Sequence, residues 1–328
     1  ERAATSRLYV PALVVTTVTV ALTAVDVQAT GAGASLVDTV TVGWARMLGP
    51  GILAFVGAVV VLEQLRPAVR RPLMARGHVQ DLAYVVLYAV VVPLIVIIAG
   101  GFAGALSRVA PWLVAPHLAV VPQLVLLASA LILMDGCNWL AHWANHRWTP
   151  VWRFHAVHHS QEELSVLTSF RAHPLVHTSF LVSVVPVVVL SSNVVLPATA
   201  ITIYICLSSL PHANLRWTFG PLGRVVVSPA YHRLHHATEG RTDVNLGTVL
   251  TLWDVLTHRA AFPVRGAEPN ATGLAGRPVP VEQDGPGRRT LAVLGAQLSE
   301  PFVAVPFAAL RSGSLPPIPP PTECGARR

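Results

Sequence analysis

Long apolar runs without a formal charge alternate along the chain with short stretches that hold nearly all its arginines and carboxylates. About 20 helical residues cross the ~30 Å hydrocarbon core of a bilayer, so runs of that order read as candidate spans. Four occur early: Leu8–Val25, Met47–Leu62, Leu82–Ser107 and Val109–Met134. The second is slightly short, with Trp44 placed to anchor an interface. A cleavable signal peptide competes for the first, but no small-residue cleavage site stands where it would be needed. Residues 172–215, 44 in all, contain no Asp, Glu or Arg. One helix of that length is improbable, and Ser191-Ser192-Asn193 with Pro197 breaks the run near its middle. A hairpin over 174–211, as two crossings or a re-entrant segment, returns the chain to the side it left. His173 and His212 then emerge on one face. After Arg259 Pro and Gly become frequent. Leu291–Leu310 is apolar but interrupted by Glu300, Pro301 and Pro306, and reads as interfacial or packed. Pro316–Pro321 reads as a polyproline tail.

The fold expected is all-α, an integral membrane helical bundle of about four spans plus the hairpin. Residues 1–134 would form the N-terminal transmembrane helices, 135–260 a catalytic region containing the hairpin, and 261–328 a Pro/Gly-rich C-terminal segment. Composition agrees. Only 12% of the 328 residues are charged, against roughly a quarter in a soluble domain, and 53% are hydrophobic. A water-facing surface could not easily be covered with so little charge, and disorder needs the opposite balance. The net charge is +7, all of its basic residues are arginine, and they are scattered. A nucleic-acid binder would gather them on a patch, so no nucleic-acid partner is expected. Arg66, Arg70, Arg71 and Arg76 lie between the second and third runs, whereas Arg108 stands alone between the third and fourth. The positive-inside rule puts the Arg66–Arg76 loop in the cytoplasm, and parity delivers His142 and the residues beyond it to the same side. Cys137, Cys206 and Cys324 stand too far apart for a thiolate metal site or a disulfide framework.

Histidine is the anomaly: 11 of 14 lie between His142 and His236. They include an HxxxH (His142, His146) and two HxxHH groups (His155, His158, His159 and His232, His235, His236). Helical residues three and four apart share a face, so each group can converge on a point. Neutral imidazole is the commonest metal ligand and suits Zn, Fe, Cu and Ni. One HxxxH alone is more often a surface pair than a ligand pair. Three such groups within 95 residues are hard to attribute to chance. Eight histidines exceed what one ion can use, and two ions fit the count. A zinc-protease helix would need Glu beside the first histidine, where Trp143 stands. No nucleophile elbow, phosphate-binding glycine loop or dinucleotide fingerprint is convincing.

Asp135 seven residues before His142, Trp152-Arg-Phe-His155-Ala-Val-His158-His159-Ser160, Ser169-Phe-Arg-Ala-His173-Pro174, Pro211-His212-Ala-Asn214, Ser228-Pro-Ala-Tyr-His232-Arg-Leu-His235-His236, Asp243-Val-Asn245-Leu-Gly247 and Trp253-Asp254 succeed one another in order. In these pieces the chain resembles the fatty acid hydroxylase/sterol desaturase superfamily of membrane di-iron oxygenases, over Asp135 to about His258. The resemblance implies O2-dependent hydroxylation or desaturation of a lipid, fatty acyl, sterol-like or isoprenoid, with O2 as co-substrate. It implies two irons, with zinc an option in isolated protein, held at the cytoplasmic face by His142, His146, His155, His158, His159, His232, His235 and His236, with His212 as a ninth ligand. Asp135, Asn214, Asp243, Asn245 and Asp254 are expected to orient imidazole N–H groups from behind the ligands. Val176 and His177 depart from the family's Glu after His-Pro. Thr257-His258 replaces its usual Gly-Thr. His173 and His177 share a helical face and stand either as a further ligand pair or as structural or substrate-facing groups.

No reductase, haem or flavin motif is present, so a separate electron donor is expected: a ferredoxin, a flavoprotein or a cytochrome b5-like protein. Arg147, Arg153, Arg171 and Arg233 could dock an acidic donor or face anionic headgroups. The all-arginine, Ala/Val-rich composition suggests a bacterial plasma membrane. Two other readings remain: a membrane metal-binding or transport protein, whose ligands should sit near the bilayer midplane, and a zinc-loaded or inactive member of the same fold. Sequence says nothing of the oligomeric state.

Overall fold

The computed structural model describes residues 50–110, 121–176, 181–183, 195–239, 243–264, 266–274, 279–281 and 290–302. The Leu8–Val25 run, His177, the Ser191–Asn193 break and the polyproline tail lie outside them. Among the described residues the structure is helical, and the only β pairing is three isolated bridges. The helices are α1 (Pro50–Leu65), α2 (His78–Val109), α3 (Gln123–Arg147), α4 (Thr149–His159), α5 (Val195–Ser209), α6 (Pro229–His235), α7 (Leu252–Leu256) and α8 (Thr290–Ser299). Short 3-10 turns at Val166–Phe170, Leu210–His212, Gly220–Arg224 and Glu300–Phe302 connect or extend them.

Where they are described, the apolar runs form helices, with shifted ends. The third run lies within α2, which starts at His78 because Gly77, at φ 83°, turns the chain into it. A Cβ at Gly77 would also meet the side chains of Arg171 and Gln161 at 2.8 Å. The fourth run begins its described helix only at Gln123 and continues past Asp135 to Arg147, so the division expected at 134/135 falls inside one helix. Asp135 survives mid-helix because five donors from 204 and 248–253 surround its carboxylate. Of the described helices, α3 alone is long and apolar enough to cross a membrane, and only 22% of its most apolar window is buried within the protein. Leu124, Val125, Ile132 and Leu140 instead face outward. Ile52–Leu65, His78–Val91 and Ala200–His212 are shorter apolar helical stretches.

The central core joins α1, α3 and α5 through Ile52, Ala130, Met134, Phe170, Ile201 and Ile205. A second cluster around Tyr84, Ala156 and Val157 takes up Leu294 and Leu298 of α8. The C-terminal apolar stretch is thus packed where it is described, with Gln297 buried between the Tyr84 hydroxyl and the Pro280 carbonyl. Both ends of the charge-free run 172–215 meet at one place. The Arg171 carbonyl and the His212 ring each contact the His158 ring.

Candidate metal centre

Three local devices bring the histidines together. α3 ends at Arg147, Trp148 is extended, and Thr149-Pro150 restarts the chain as α4. Proline suits the first turn of a helix because its missing N–H would be unpaired there anyway. This corner folds the last two turns of α3, carrying His142 and His146, against His155 and His159. Ser228 caps α6 by accepting from the Tyr231 N–H at 3.2 Å, and Pro229 follows at its first turn. The 3-10 turn after α5 delivers His212.

Nine imidazoles gather into two groups, each with ring nitrogens within 4.8 Å of one another: His142, His146, His155, His159 and His235 in one, His158, His212, His232 and His236 in the other. Each HxxHH is therefore divided, contrary to the expectation that it converges on a single point. A helix turns about 100° per residue, so positions i+3 and i+4 lie on opposite sides of position i. His155 and His159 serve one group while His158 turns to the other. His232 and His236 serve that second group while His235 crosses to the first. The rings of His159 and His236 stack across the boundary at 4.4 Å.

Several Nε2 atoms approach each other at 3.1–3.2 Å: His159 to both His146 and His155, His235 to His142, and His212 to both His158 and His232. Two nitrogens each about 2.1 Å from one ion are about 3.0 Å apart at a right angle and about 3.4 Å apart in a tetrahedron. The observed spacings fall between these limits. On the far side of the rings, His142 Nδ1 contacts the Leu246 carbonyl at 2.7 Å, His158 Nδ1 that of Arg171 at 3.0 Å, and His235 Nδ1 that of Val244 at 2.9 Å. A carbonyl can only accept, so each Nδ1 carries the proton and each Nε2 is left with a free lone pair. His236 is fully buried, and neither of its ring nitrogens has a hydrogen-bond partner. A buried imidazole without partners is costly in a folded protein unless something absent from the chain completes it. Burial, and then the neighbouring imidazoles, hold His155, His159, His232 and His236 well below the usual histidine pKa, in the neutral form a metal needs. The donor set fits two ions of the imidazole-binding kind.

His173 joins neither group. Its Nε2 donates to the Leu298 carbonyl at 3.1 Å, and its Nδ1 accepts from the Leu175 N–H, so both nitrogens are used in tying the loop to α8. The expected orienting residues act through the backbone. Asp254 accepts from Trp139, Tyr231 and the N–H groups of Leu246 and Gly247, fixing the loop whose Leu246 carbonyl holds His142. Asp135 anchors 248–253, with Gly136 leaving room for the Trp253 indole. Asn245, at φ 57°, clasps Tyr231 and Ala261, while Asn214 clasps Val69 and Arg233. Asp243 pairs with Arg259 beside Val244. The imidazoles are oriented by carbonyls, which no side-chain pattern announces.

Two of the arginines suggested for docking are buried. Arg171 pairs with Asp81, at 1% and 0% side-chain exposure, and donates to Gly77 and Ser160, while its own carbonyl holds His158. Arg233 donates to Asn214 and Asn270. Neither can face a partner. The Asp81–Arg171 pair escaped the sequence reading, although both stand as lone charges at the edges of apolar runs.

A cavity of about 150 Å³ opens onto both groups, reaching His142, His155, His158, His212 and His232. Its walls come from α2, α3, α5 and the Val166–Phe170 turn, with Tyr88, Phe170 and Ile205 among them.

Among the described residues, a helical body thus holds two clusters of imidazoles, each able to hold a metal ion, that reach a largely apolar cavity. Residues 127–258 match the fatty acid hydroxylase family. The chain is 32% identical over 165 residues to ornithine lipid hydroxylase OlsE of Rhizobium tropici, covering 48% of this chain and 47% of that protein. It is 27% identical over 129 residues to alkylglycerol monooxygenase of Caenorhabditis elegans, covering 38% and 25%, and 27% identical over 124 residues to that of Danio rerio, covering 36% and 26%. The match thus spans half or less of each of these relatives. No solved structure matches significantly.

Proposed function

We propose that this chain is an O2-dependent lipid hydroxylase or desaturase of a membrane, working at two irons held by His142, His146, His155, His159 and His235 and by His158, His212, His232 and His236. The observation that carries the reading is the convergence of nine imidazoles, eight of them buried, in two groups that both reach a largely apolar cavity. The lipid hydroxylases and monooxygenases among its relatives support it. Two irons held there supply the activation of O2 that oxidation of an unactivated C–H bond requires. The chain's own part is positional. Carbonyls of Leu246, Arg171 and Val244 fix three ring tautomers, burial keeps the imidazoles neutral, and the cavity brings an alkyl segment up to the histidines while excluding water. Electrons come from a separate donor, a ferredoxin, flavoprotein or cytochrome b5-like protein.

The active side is the cytoplasmic face of a bacterial plasma membrane. The arginine-rich loop expected in the cytoplasm lies against the histidine region: Ala68 pairs with Asn214, Arg216 donates to the Ala68 carbonyl, and Arg71 to that of Leu164. These contacts support a reading in which loop and site share the side that the arginine bias assigns to the cytoplasm.

The test is metal analysis joined to product analysis. Detergent-purified protein should hold two irons per chain and, given a chemical reductant and ¹⁸O2, insert label into, or desaturate, lipids extracted from its host. His235→Ala should abolish both. Full turnover by protein holding one ion or none would overturn the proposal.

A further inference from the structure

The cavity is not uniformly apolar where it meets the histidines. Asn138, Ala141, His142 and Asn145 lie on one face of α3 and line it together, with Tyr204 and Thr248 opposite. Asn138 stands one helical turn before His142, about 6 Å along the axis.

The hydrogen bonds fix which way the Asn138 amide faces. Thr248 Oγ1 lies 3.1 Å from Asp135 Oδ1 and 2.7 Å from the Tyr204 hydroxyl, and the Tyr204 hydroxyl is itself 3.3 Å from Asp135 Oδ1. Asp135 also accepts from the Trp253 indole and the N–H groups of Val249 and Leu250, the surroundings of a carboxylate. Each hydroxyl has one proton, and Thr248 spends its own on Asp135 or on Tyr204. Its oxygen can then only accept from Asn138, which approaches at 3.2 Å and must present its NH2 group. Asn138 Oδ1 is left as an oriented acceptor in the wall of the cavity.

We infer that Asn138 is a specificity-determining residue whose Oδ1 accepts a hydrogen bond from an O–H or N–H of the lipid, which sets a polar group of the substrate beside the histidines and directs oxidation to a carbon near that group. The substrate class is then a lipid oxidised next to its hydrogen-bonding head, not along the middle of its chain. The inference rests on the lipid-oxygenase reading for its chemical step, but not for recognition.

Recognition is measured on full-length protein in nanodiscs loaded with zinc, which imidazole binds and which has no redox chemistry. The probes are hexadecane-1,2-diol and 1,2-dimethoxyhexadecane, alike except for the donors, titrated by calorimetry. Wild type should prefer the diol by roughly five- to tenfold, the value of one hydrogen bond. Asn138→Ala should bring the ratio to about one. Equal binding of the two probes by wild type, or an unchanged preference in Asn138→Ala, overturns the inference. The wild-type ratio decides alone if the variant does not fold. Iron-loaded protein with reductant and O2 should then oxidise the diol within a few carbons of its hydroxyls. Oxidation at the far end of the chain, or equally on both probes, overturns the inference and leaves the oxygenase reading standing. Asn138-dependent diol binding without any O2-dependent product would sink the oxygenase reading and leave recognition in place.

Discussion

Stripped of metal, the protein should lose stability steeply once the pH falls below about 6.5. His155, His159, His212, His232, His235 and His236 are all held well below the ordinary histidine pKa, first by burial and then by one another. In the unfolded chain the same rings take up protons near pH 6.5. Below that value the unfolded state binds more protons, so stability rises with pH. The contribution is fully present above 6.5 and is lost as the pH drops from there toward the depressed folded-state values. At pH 5.5 each ring costs about 1.4 kcal/mol, and six cost about 8 kcal/mol. That is comparable with the whole stability of an ordinary domain, about 5–15 kcal/mol. The assay is thermal and urea unfolding of chelator-treated protein in detergent at pH 7.5, 6.5 and 5.5, followed by tryptophan fluorescence. Metal-loaded protein should resist over the same range, because an ion bound only by the folded state adds its own stabilisation. A metal-free protein whose midpoint stays level from pH 7.5 to 5.5 would refute the reasoning, since it would mean that the rings are solvated.

Particular contacts set four further outcomes. His212→Ala should empty the group formed with His158, His232 and His236 while leaving the five-histidine group able to bind; His173→Ala should retain both ions and instead expose the 290–302 segment to protease, with metal content and cleavage pattern read side by side. Asp254→Asn turns an NH2 group toward two of four donors, so it should cost about 2–6 kcal/mol in urea unfolding at pH 7.5. His258, at φ 57° just beyond α7, occupies a left-handed position that glycine adopts freely. His258→Gly should therefore stabilise by about 0.5–1 kcal/mol after the entropy of glycine is deducted, seen as a raised melting temperature.

Part of the helical scaffold was legible from charge-free runs: α1 and α2 overlap runs read from sequence, and the described α5 lies inside one. The continuation of α3 through Asp135 was not, because a mid-helix carboxylate is tolerable only once Trp253, Thr248 and two backbone N–H groups reach it from more than 100 residues away. Eight of the nine histidines were legible by type and spacing, and His212 through the family resemblance. Their partition was not: whether His158 joins His155 or turns away depends on what approaches the other side of α4. The anchoring of the rings by Leu246, Arg171 and Val244 carbonyls leaves no trace in residue type. Asn138 was invisible for the same reason, since an asparagine inside an apolar helix acquires meaning only from the Thr248 hydroxyl set against it.

The division of each HxxHH between two groups also imposes an order on biosynthesis. As the chain leaves the ribosome, His142, His146, His155 and His159 arrive early, and four of the five rings of one cluster can come together on α3 and α4 alone. The other cluster has only His158 and His212 until α6 has been made; α6 and the His236 that caps its end supply His232 and His236 to it and His235 to its neighbour. A nascent chain halted before Pro229 thus holds one nearly complete nest of imidazoles and half of another. A single late helix of seven residues closes both together.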